Sequence, residues 1–206
     1  MHIAIIGTGS LGTALGTRLS ERHRVTFGSR DPGSDAARQL DEVLGKRADV
    51  RLIPEAVADA EGVVLATPWP VTEALVRTLD LAGKVVIDAT NDVGPDFLPE
   101  ASGPESCAER IARLAPGARV VKAFCSTGAG NLQDPNFGAV RPVMPFCGDD
   151  ADAKRTVARL IEGVGFEAAD AGPLVAARQL EALALLWIRL AHTGYGPTIA
   201  FALVTR

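Results

Sequence analysis

Residues 2–19 read HIAIIGTGSLGTALGTRL, in which an apolar run with strand character passes through three glycines into a helical pattern. Gly7, Gly9 and Gly12 stand in GxGxxG spacing. In a strand–turn–helix unit the first glycine permits a tight turn, the second lets a diphosphate reach the backbone, and the third allows close packing. This context predicts a dinucleotide-binding loop, whereas the spacing alone also fits an ordinary tight βα corner. The candidate cofactor-binding residues of the loop are Gly7, Thr8, Gly9, Ser10, Leu11 and Gly12.

Beyond this loop, apolar strand-like runs alternate with helical patterns along most of the chain. Such alternation predicts crossover units and therefore an α/β fold, a Rossmann-like, doubly wound, mostly parallel sheet. The predicted dinucleotide-binding domain covers residues 1–172. The predicted strands are His2–Ile6, Arg24–Phe27, Gly62–Ala66, Lys84–Ala89, Arg119–Phe124, Val143–Cys147 and Phe166–Asp170.

Residues 173–206 form a C-terminal helical segment that is too short to be an independent domain. The stretch PLVAARQLEALALLWIRLAHTG predicts one long helix that is apolar on most of its circumference, and the last residues suggest a second, short helix. An apolar helix of this kind has to be covered, either by the sheet or by the same helix of a second subunit. We therefore expect a homodimer.

Composition excludes several classes of function. The 206 residues carry a formal net charge of -4 and no Lys/Arg run, so nucleic acid is not an expected partner. Three cysteines at wide spacings, without a CxxC pair, predict neither a disulfide framework nor a metal site and suit a reducing cytoplasm. No signal peptide is expected, and the longest apolar stretch, residues 182–188, is too short to span a membrane.

The stretch VTFGSRD, residues 25–31, ends the second predicted strand in an unusual way. An NAD site usually has Asp or Glu at this point to accept the ribose hydroxyls. Here Ser29 can donate a hydrogen bond to a 2′-phosphate and Arg30 can pair with it in a forked geometry. Thr8 can lie near the same ribose. The interpretation is a preference for NADP(H), and the alternative is a surface Arg30 paired with Asp31.

Seven stretches of the chain, in the right order and over nearly its whole length, resemble the F420-dependent NADP reductases (coenzyme F420H2:NADP+ oxidoreductases) and their bacterial relatives. They are IAIIGTGSLG at 3–12, GSRDP at 28–32, TPW at 67–69, VVKAF at 120–124, CGDD at 147–150, DAGPL at 170–174 and LLWIRLA at 185–191. The resemblance implies a Rossmann-like domain with a small C-terminal helical part, a homodimer, and hydride exchange between NADPH and a bound carrier, coenzyme F420.

The resemblance also implies a set of site residues. The 2′-phosphate contacts map onto Thr8, Ser29 and Arg30. A lysine of archaeal members corresponds to Ser34, so one cationic contact is missing, and Arg38 could substitute for it. The nicotinamide would lie over the strand ends, near residues 67–69 and the loop at 126–130. The candidate contacts there are Thr67, Pro68, Trp69 and Ala129.

The candidate substrate pocket contains Asn91, Lys122 and Cys125, beside the polar segment 90–106. That segment is either an active-site loop or a surface insertion. Family members usually carry His or Asn where this chain has Cys125, and a thiol is a poorer hydrogen-bond donor. This departure keeps a second function open, the NADPH-dependent reduction of a small imine or carbonyl. A third possibility is an NADP-binding sensor without catalysis.

Hydride transfer between two cofactors requires proximity and orientation and needs no proton relay. No such relay or metal cluster is visible, and we expect His2 and His23 to be ordinary surface residues. A carbonyl or imine reductase would need a proton donor, for which the candidates are Lys122, Tyr195, Asp88 and Asp92. Lys122 could equally be structural, Cys125 is more simply a buried pocket residue than a nucleophile, and Trp69 is expected to be a rigid pocket wall.

Overall fold

The computed structural model describes residues 1–98 and 104–206. Within these ranges the chain forms an eight-stranded sheet with helices on both faces. The strands are β1 His2–Ile6, β2 Arg24–Ser29, β3 Ala48–Leu52, β4 Gly62–Leu65, β5 Val85–Asp88, β6 Arg119–Lys122, β7 Val143–Gly148 and β8 Glu167–Asp170. The helices are α1 Ser10–Leu19, α2 Asp35–Leu44, α3 Ile53–Ala58, α4 Trp69–Val76, α5 Cys107–Leu114, α6 Ala129–Gln133, α7 Ala151–Val164 and α8 Ala177–Leu190.

The strand order β3-β2-β1-β4-β5-β6-β7-β8 confirms the predicted Rossmann-like, mostly parallel sheet. Every neighbouring pair is parallel except β6 and β7, which are antiparallel. The chain moves outward in one direction from β1 to β3 and then returns to place β4 on the other side of β1. In open α/β sheets this reversal leaves a crevice at the carboxyl ends of the strands, where ligands bind.

The core has one layer on each face of the sheet. Along β1, Ile3 and Ile5 belong to the layer under α1, α2 and α7, whereas Ala4 and Ile6 belong to the layer under α3, α4, α5 and α8. All five residues of β1 are buried. A central parallel strand is therefore covered on both sides, which explains its nearly continuous apolar sequence.

The structure differs from the sequence predictions in four places. β3 and α3 were not predicted, because β3 is an edge strand with partly exposed residues and little apolar patterning. The predicted second C-terminal helix is wrong, since residues 196–206 contain no helix. The expectation that His2 is a surface residue is also wrong: its ring is buried between the Asp59 carbonyl and the Thr26 hydroxyl. Of the segment 90–106, residues 99–103 lie outside the described residues.

In the part of the chain that the structure describes, no helix is both long and apolar enough to cross a bilayer. The same residues contain no group of three or more His, Cys, Asp or Glu side chains arranged to hold a metal ion.

Candidate functional site

The glycine loop has the geometry that each glycine was predicted to provide. Gly7 adopts φ +125°, and a Cβ atom there would lie 2.6 Å from the Ala66 carbonyl oxygen. A Cβ atom on Gly12 would lie 2.2 Å from the Gly7 carbonyl oxygen. Gly9 has extended backbone and open space where its Cβ would be. The first and third positions therefore exclude side chains, and the second leaves room for a ligand against the backbone.

The N-terminus of α1 opens into the same space. Gly9 is the N-cap and contributes no side-chain hydrogen bond, and the first turn, which includes Ser10 and Leu11, has no acidic residue. The first backbone N–H groups of a helix lack intrahelical partners and carry the positive end of the helix dipole. This N-terminus can therefore accept an anion such as a diphosphate.

A cleft of about 370 Å³ lies beside the glycine loop, above the ends of β1, β2 and β4. One wall is polar and is formed by the end of β2. The opposite wall is apolar and suits a flat ring such as adenine. The cleft is lined by Gly7, Thr8, Gly28, Ser29, Arg30, Asp31, Ser34, Ile53, Thr67, Pro68, Val71 and Leu75.

The polar wall presents an unpaired cation. The Ser29 hydroxyl donates to the Asp31 carbonyl (2.9 Å) and accepts from the Asp31 N–H (3.1 Å), which fixes the turn after β2. The Asp31 carboxylate accepts from the Gly33 N–H at 2.9 Å. Arg30 is exposed and forms no ion pair among the described residues, so the alternative Arg30–Asp31 pair is absent. Arg30 is thus available to an anionic ligand.

Ser34 and Arg38 have other contacts. The Ser34 hydroxyl donates to the Asp31 carbonyl at 2.8 Å and accepts from the Ala37 N–H as the N-cap of α2. Arg38 pairs with Asp35 on the exposed surface of α2 and does not line the cleft. Ser34 lies in the cleft, whereas the proposed substitution by Arg38 requires this pair to open.

Thr67 and Pro68 line the cleft, but Trp69 does not. The Thr67 and Thr72 hydroxyl oxygens lie 2.7 Å apart at the start of α4. The Trp69 side chain is buried in the core, and the Arg110 guanidinium carbon lies 4.8 Å from its ring centroid. The expectation that Trp69 forms a wall of this cleft is therefore wrong, and its burial with a cation–π contact to Arg110 favours a structural role.

Lys122 is fully buried between the carboxyl ends of β5 and β6 and α8. Its Nζ lies 2.9 Å from Asp88 Oδ2 and 2.9 Å from Glu181 Oε1, and it also donates to the Thr90 carbonyl. Burial lowers the pKa of Lys122, but the Asp88 and Glu181 carboxylates outweigh it, so the pKa is raised. An inaccessible ammonium that keeps its proton is a poor acid catalyst, which favours the structural interpretation of Lys122.

The other proton donors and nucleophiles named from the sequence are equally unsuited. Burial raises the pKa of the Cys125 thiol to about 12, and its Sγ lies 3.9 Å from the Leu180 carbonyl oxygen. Asp88 Oδ1 accepts from both the N–H and the hydroxyl of Thr90, at 2.9 and 2.7 Å. Tyr195 is 70% exposed, on the turn after α8. Cys125 and Asp88 are therefore inaccessible, and Tyr195 does not line the cleft.

Asn91 and Cys125 are brought together at the ends of β5 and β6. Asn91 Nδ2 donates to the Cys125 carbonyl at 3.1 Å, while Asn91 Oδ1 is buried and has no hydrogen-bond partner among residues 1–98 and 104–206. The preceding residue Phe124 is buried and has φ +62°, an uncommon conformation for a bulky side chain. A buried acceptor without a donor costs about 1–3 kcal/mol, so a ligand donor would be favourable here. Ala129, another candidate from the sequence, is half-buried and is the first residue of α6, four residues after Cys125.

Sequence reasoning missed the apolar wall of the cleft. Val71 and Leu75 follow Pro68 at intervals of three and four residues, which places all three on one face of α4. This spacing was a usable signal. Ile53 begins α3, which was not predicted, and no pattern in the sequence indicated its position.

Comparisons with known proteins agree with this geometry. A family model described as "NADP oxidoreductase coenzyme F420-dependent" matches residues 2–92. The chain is 31% identical to an F420-dependent NADP reductase of Methanocaldococcus jannaschii, over 92% of each chain. It is 34% identical to the Metalloreductase STEAP3 of Rattus norvegicus over 89% of its own length, but it spans only 36% of that relative.

A solved structure from Arthrobacter sp. FB24, which carries a provisional assignment as an F420-dependent NADP reductase, superposes with a TM-score of 0.89. It is 28% identical, and the match covers 98% of this chain and 99% of that one. A reductive aminase of Aspergillus terreus, solved with NADPH, shares the fold at a TM-score of 0.70 and 22% identity, over 94% of this chain and 63% of its own. The glycine loop, the fold and these full-length matches show that the chain belongs to the F420-dependent NADP reductase family of NADP oxidoreductases.

Proposed function

We propose that the protein transfers a hydride between NADP(H) and a second carrier, most directly coenzyme F420. The observation that carries the proposal is the cleft beside the glycine loop, which ends in Ser29 and an unpaired Arg30. The single carboxylate on that wall, Asp31, accepts a hydrogen bond from Gly33 within its own turn. A 2′-phosphate in the cleft would meet the Arg30 guanidinium, and the Ser29 hydroxyl could join it by turning from the Asp31 carbonyl to the phosphate. Pairing of a cation with the 2′-phosphate is the recognition that separates NADP from NAD.

The nicotinamide end is proposed to extend from the glycine loop toward the ends of β5 and β6. There Asn91 Oδ1 offers a buried, unused acceptor, which suits the carboxamide N–H or a ribose hydroxyl of the cofactor. Cys125 contributes its backbone carbonyl to the Asn91 amide, and its thiol is buried. We therefore propose that Cys125 helps to shape the floor of the pocket.

The state of the candidate proton donors supports a carrier over an imine or carbonyl substrate. Lys122 is inaccessible, and Asp88 is committed to Thr90 and Lys122. Hydride transfer between two ring systems needs alignment and no protein acid, whereas carbonyl reduction needs a proton at the developing alkoxide. Support for F420 itself comes from the name of the Methanocaldococcus jannaschii relative.

The test is steady-state oxidation of NADPH with oxidised F420, run beside a panel of imines, carbonyls and a ferric chelate. Gly9→Ala is the matched control, because its Cβ would occupy the space assigned to the diphosphate. Turnover with F420 that the control loses supports the proposal. Turnover only with an imine or carbonyl would replace it by the small-molecule reductase. Tight NADPH binding without turnover on any acceptor would leave a sensor.

We also propose that the protein is a homodimer. Val175, just before α8, and Leu186, on α8, are 48% and 46% exposed, although the same helix packs Leu180, Ala184 and Leu185 into the core. A second copy is the partner that would cover them. Sedimentation equilibrium tests this, and a monomer at all concentrations would contradict it.

A cytoplasmic location is part of the same proposal. Cys107, Cys125 and Cys147 are all free and buried. Thiols that pair with nothing suit a reducing compartment. Fractionation of cells that express the tagged protein is the direct measurement.

A further inference from the structure

The C-terminal tail, residues 196–206, returns across the protein after α8 and a π-helical turn at Ala191–Tyr195. The Val143 N–H at the start of β7 donates to the Phe201 carbonyl at 2.8 Å. Two residues earlier, the Ile199 carbonyl accepts two hydrogen bonds. One comes from Trp187 Nε1 and the other from Asn131 Nδ2, both at 2.8 Å.

This carbonyl connects the tail to residues Ser126–Asn131, called here the Ser126–Asn131 loop, which runs into the first turn of α6. Asn131 Nδ2 also lies 3.0 Å from the Thr127 hydroxyl, within the loop. The Trp187 ring stands directly against Gly128, where a Cβ atom would lie 2.5 Å from the ring carbon Cη2. Asn131, Thr127 and Trp187 are all buried, and the Ile199 residue that they hold is half-buried.

The structure assigns the Ile199 carbonyl, Trp187 and Asn131 a joint role as a positioning bracket for the loop Ser126–Asn131. This inference rests on the proposed function, which puts the nicotinamide at the ends of β5 and β6, where Cys125 leads directly into that loop. One carbonyl oxygen has two lone pairs and here accepts from both donors. Removing the tail would take away the acceptor of Trp187 Nε1 and leave Asn131 Nδ2 with only the Thr127 hydroxyl, so the loop would lose its backing. This change would propagate to hydride transfer, because that step depends on alignment.

The bracket acts on one half of the cofactor only. The cleft that would receive the adenosine 2′-phosphate is formed by the glycine loop, the end of β2 and the starts of α3 and α4, and none of its lining residues belongs to the bracket. Loss of the bracket should therefore weaken binding of the nicotinamide half and leave the adenosine half unchanged. A general loss of folded structure would weaken both.

The experiment compares two truncated chains, one ending at Gly196 and one ending at Ala202. The first lacks Ile199 and Phe201, whereas the second keeps both and loses only exposed residues such as Val204, which is 89% exposed. Binding of NADPH and of adenosine 2′,5′-bisphosphate is measured by calorimetry for each, with kcat alongside. For the shorter chain we expect the NADPH Kd to rise about tenfold or more, kcat to fall, and the bisphosphate Kd to stay within about twofold.

Trp187→Phe provides a second test that leaves the chain at full length. It removes the indole N–H and the outer ring carbons that contact Gly128. In the wild-type background, Gly128→Ala drives a Cβ into the ring and should raise the NADPH Kd. In the Trp187→Phe background the same change should have a much smaller effect. This non-additivity is the signature of direct contact between the bracket and the loop.

The outcomes separate the two proposals. Wild-type protein that binds neither NADPH nor the bisphosphate contradicts the proposed function. Wild-type protein that binds NADPH, together with a Gly196-terminated chain whose NADPH affinity and kcat match those of the Ala202-terminated chain, overturns the bracket alone. Equal weakening of both ligands, or additive effects of Gly128→Ala and Trp187→Phe, also overturns it.

Discussion

Two polar regions lie at the same carboxyl edge of the sheet and are built in opposite ways. In the glycine-loop cleft, the first turn of α1 has no side-chain cap and Arg30 has no ion pair among the described residues. In the Lys122 cluster, defined by Lys122, Asp88, Thr90 and Glu181, the ammonium is fully buried and has three acceptors from the protein. Polar groups without internal partners indicate a ligand site, whereas a fully satisfied cluster indicates a role in the fold.

The difference separates residues that the sequence treats alike. Arg30 and Lys122 are both cations at the end of a strand, and both were candidates for the site. Burial distinguishes them, because an exposed cation keeps its hydration until a ligand replaces it, while a buried cation must be neutralised in the folded chain.

The largest expected effect is on stability at Lys122. Lys122→Ala leaves the Asp88 and Glu181 carboxylates buried without their counter-ion, so the free energy of unfolding should fall by about 3–5 kcal/mol. Denaturant titration gives the value. The matched control is Arg77→Ala, whose partner is Glu73 and whose side chain is 56% exposed; it should cost at most about 1 kcal/mol. Equal stability of the two variants would remove the distinction between the cluster and an ordinary surface pair.

Arg30→Ala should affect binding and leave stability nearly unchanged. Loss of a charge-assisted hydrogen bond to the 2′-phosphate should raise the NADPH Kd by about 10- to 100-fold, while the NADH Kd changes little. Arg38→Ala, which removes an exposed pair with Asp35, is the control and should leave both affinities unchanged. An equal loss for NADPH and NADH would show that Arg30 does not recognise the 2′-phosphate.

Gly9→Ala should weaken both dinucleotides to a similar extent, because its Cβ enters the space assigned to the shared diphosphate. We expect a Kd increase of about tenfold and a stability change within about 0.5 kcal/mol, as for other exposed substitutions. Gly12→Ala is the opposite case, since its Cβ would lie 2.2 Å from the Gly7 carbonyl oxygen and should unfold the corner. Unchanged binding in folded Gly9→Ala protein would refute the diphosphate assignment.

The smallest effect concerns acid stability at Glu109, which is neither in the cleft nor in the Lys122 cluster. Hydrogen bonds from Arg178, and then from Ser106, lower the pKa of Glu109 from 4.5 to about 2. Because the pKa of Glu109 is lower in the folded protein than in the unfolded chain, its carboxylate stabilises the folded protein above pH 4.5. This stabilisation is lost as the pH falls toward 2. Glu109→Gln should therefore lower the free energy of unfolding by about 1 kcal/mol at neutral pH. It should also flatten the fall of that free energy with decreasing pH in the acid range, as measured by denaturant titration. An unchanged slope would contradict the assignment.

The sequence predicted the features that depend on neighbouring residues. The glycine loop, the second strand and the alternation of elements are all local patterns, and the fold they implied is confirmed. The second strand was predicted to end at Phe27 and extends to Ser29. The edge strand β3 was not predicted, because its partly exposed residues do not form an apolar run. The antiparallel direction of β7 relative to β6 could not be predicted, because it depends on how the connection after β6 places β7 in the sheet.

The Lys122 cluster was beyond sequence reasoning for a different reason. Asp88, Lys122 and Glu181 come from three segments separated by tens of residues, and only the tertiary fold brings them together. The same holds for the Asn91–Cys125 contact and for the bracket at Ile199. The folded structure is needed to assign a role that depends on distant partners, such as whether a lysine is an acid catalyst or a structural residue.

The Glu181–Lys122 contact has a consequence for how the protein opens. α8 belongs to a short C-terminal segment that could be taken for a detachable appendage, yet Glu181 places a carboxylate of that helix on a buried ammonium of the central sheet. If α8 separated alone, Lys122 would lose one of its two counter-ions, which makes local opening nearly as unfavourable as global unfolding. We expect amide protons of α8 to exchange with deuterium as slowly as those of β5 and β6, as part of one cooperative unit.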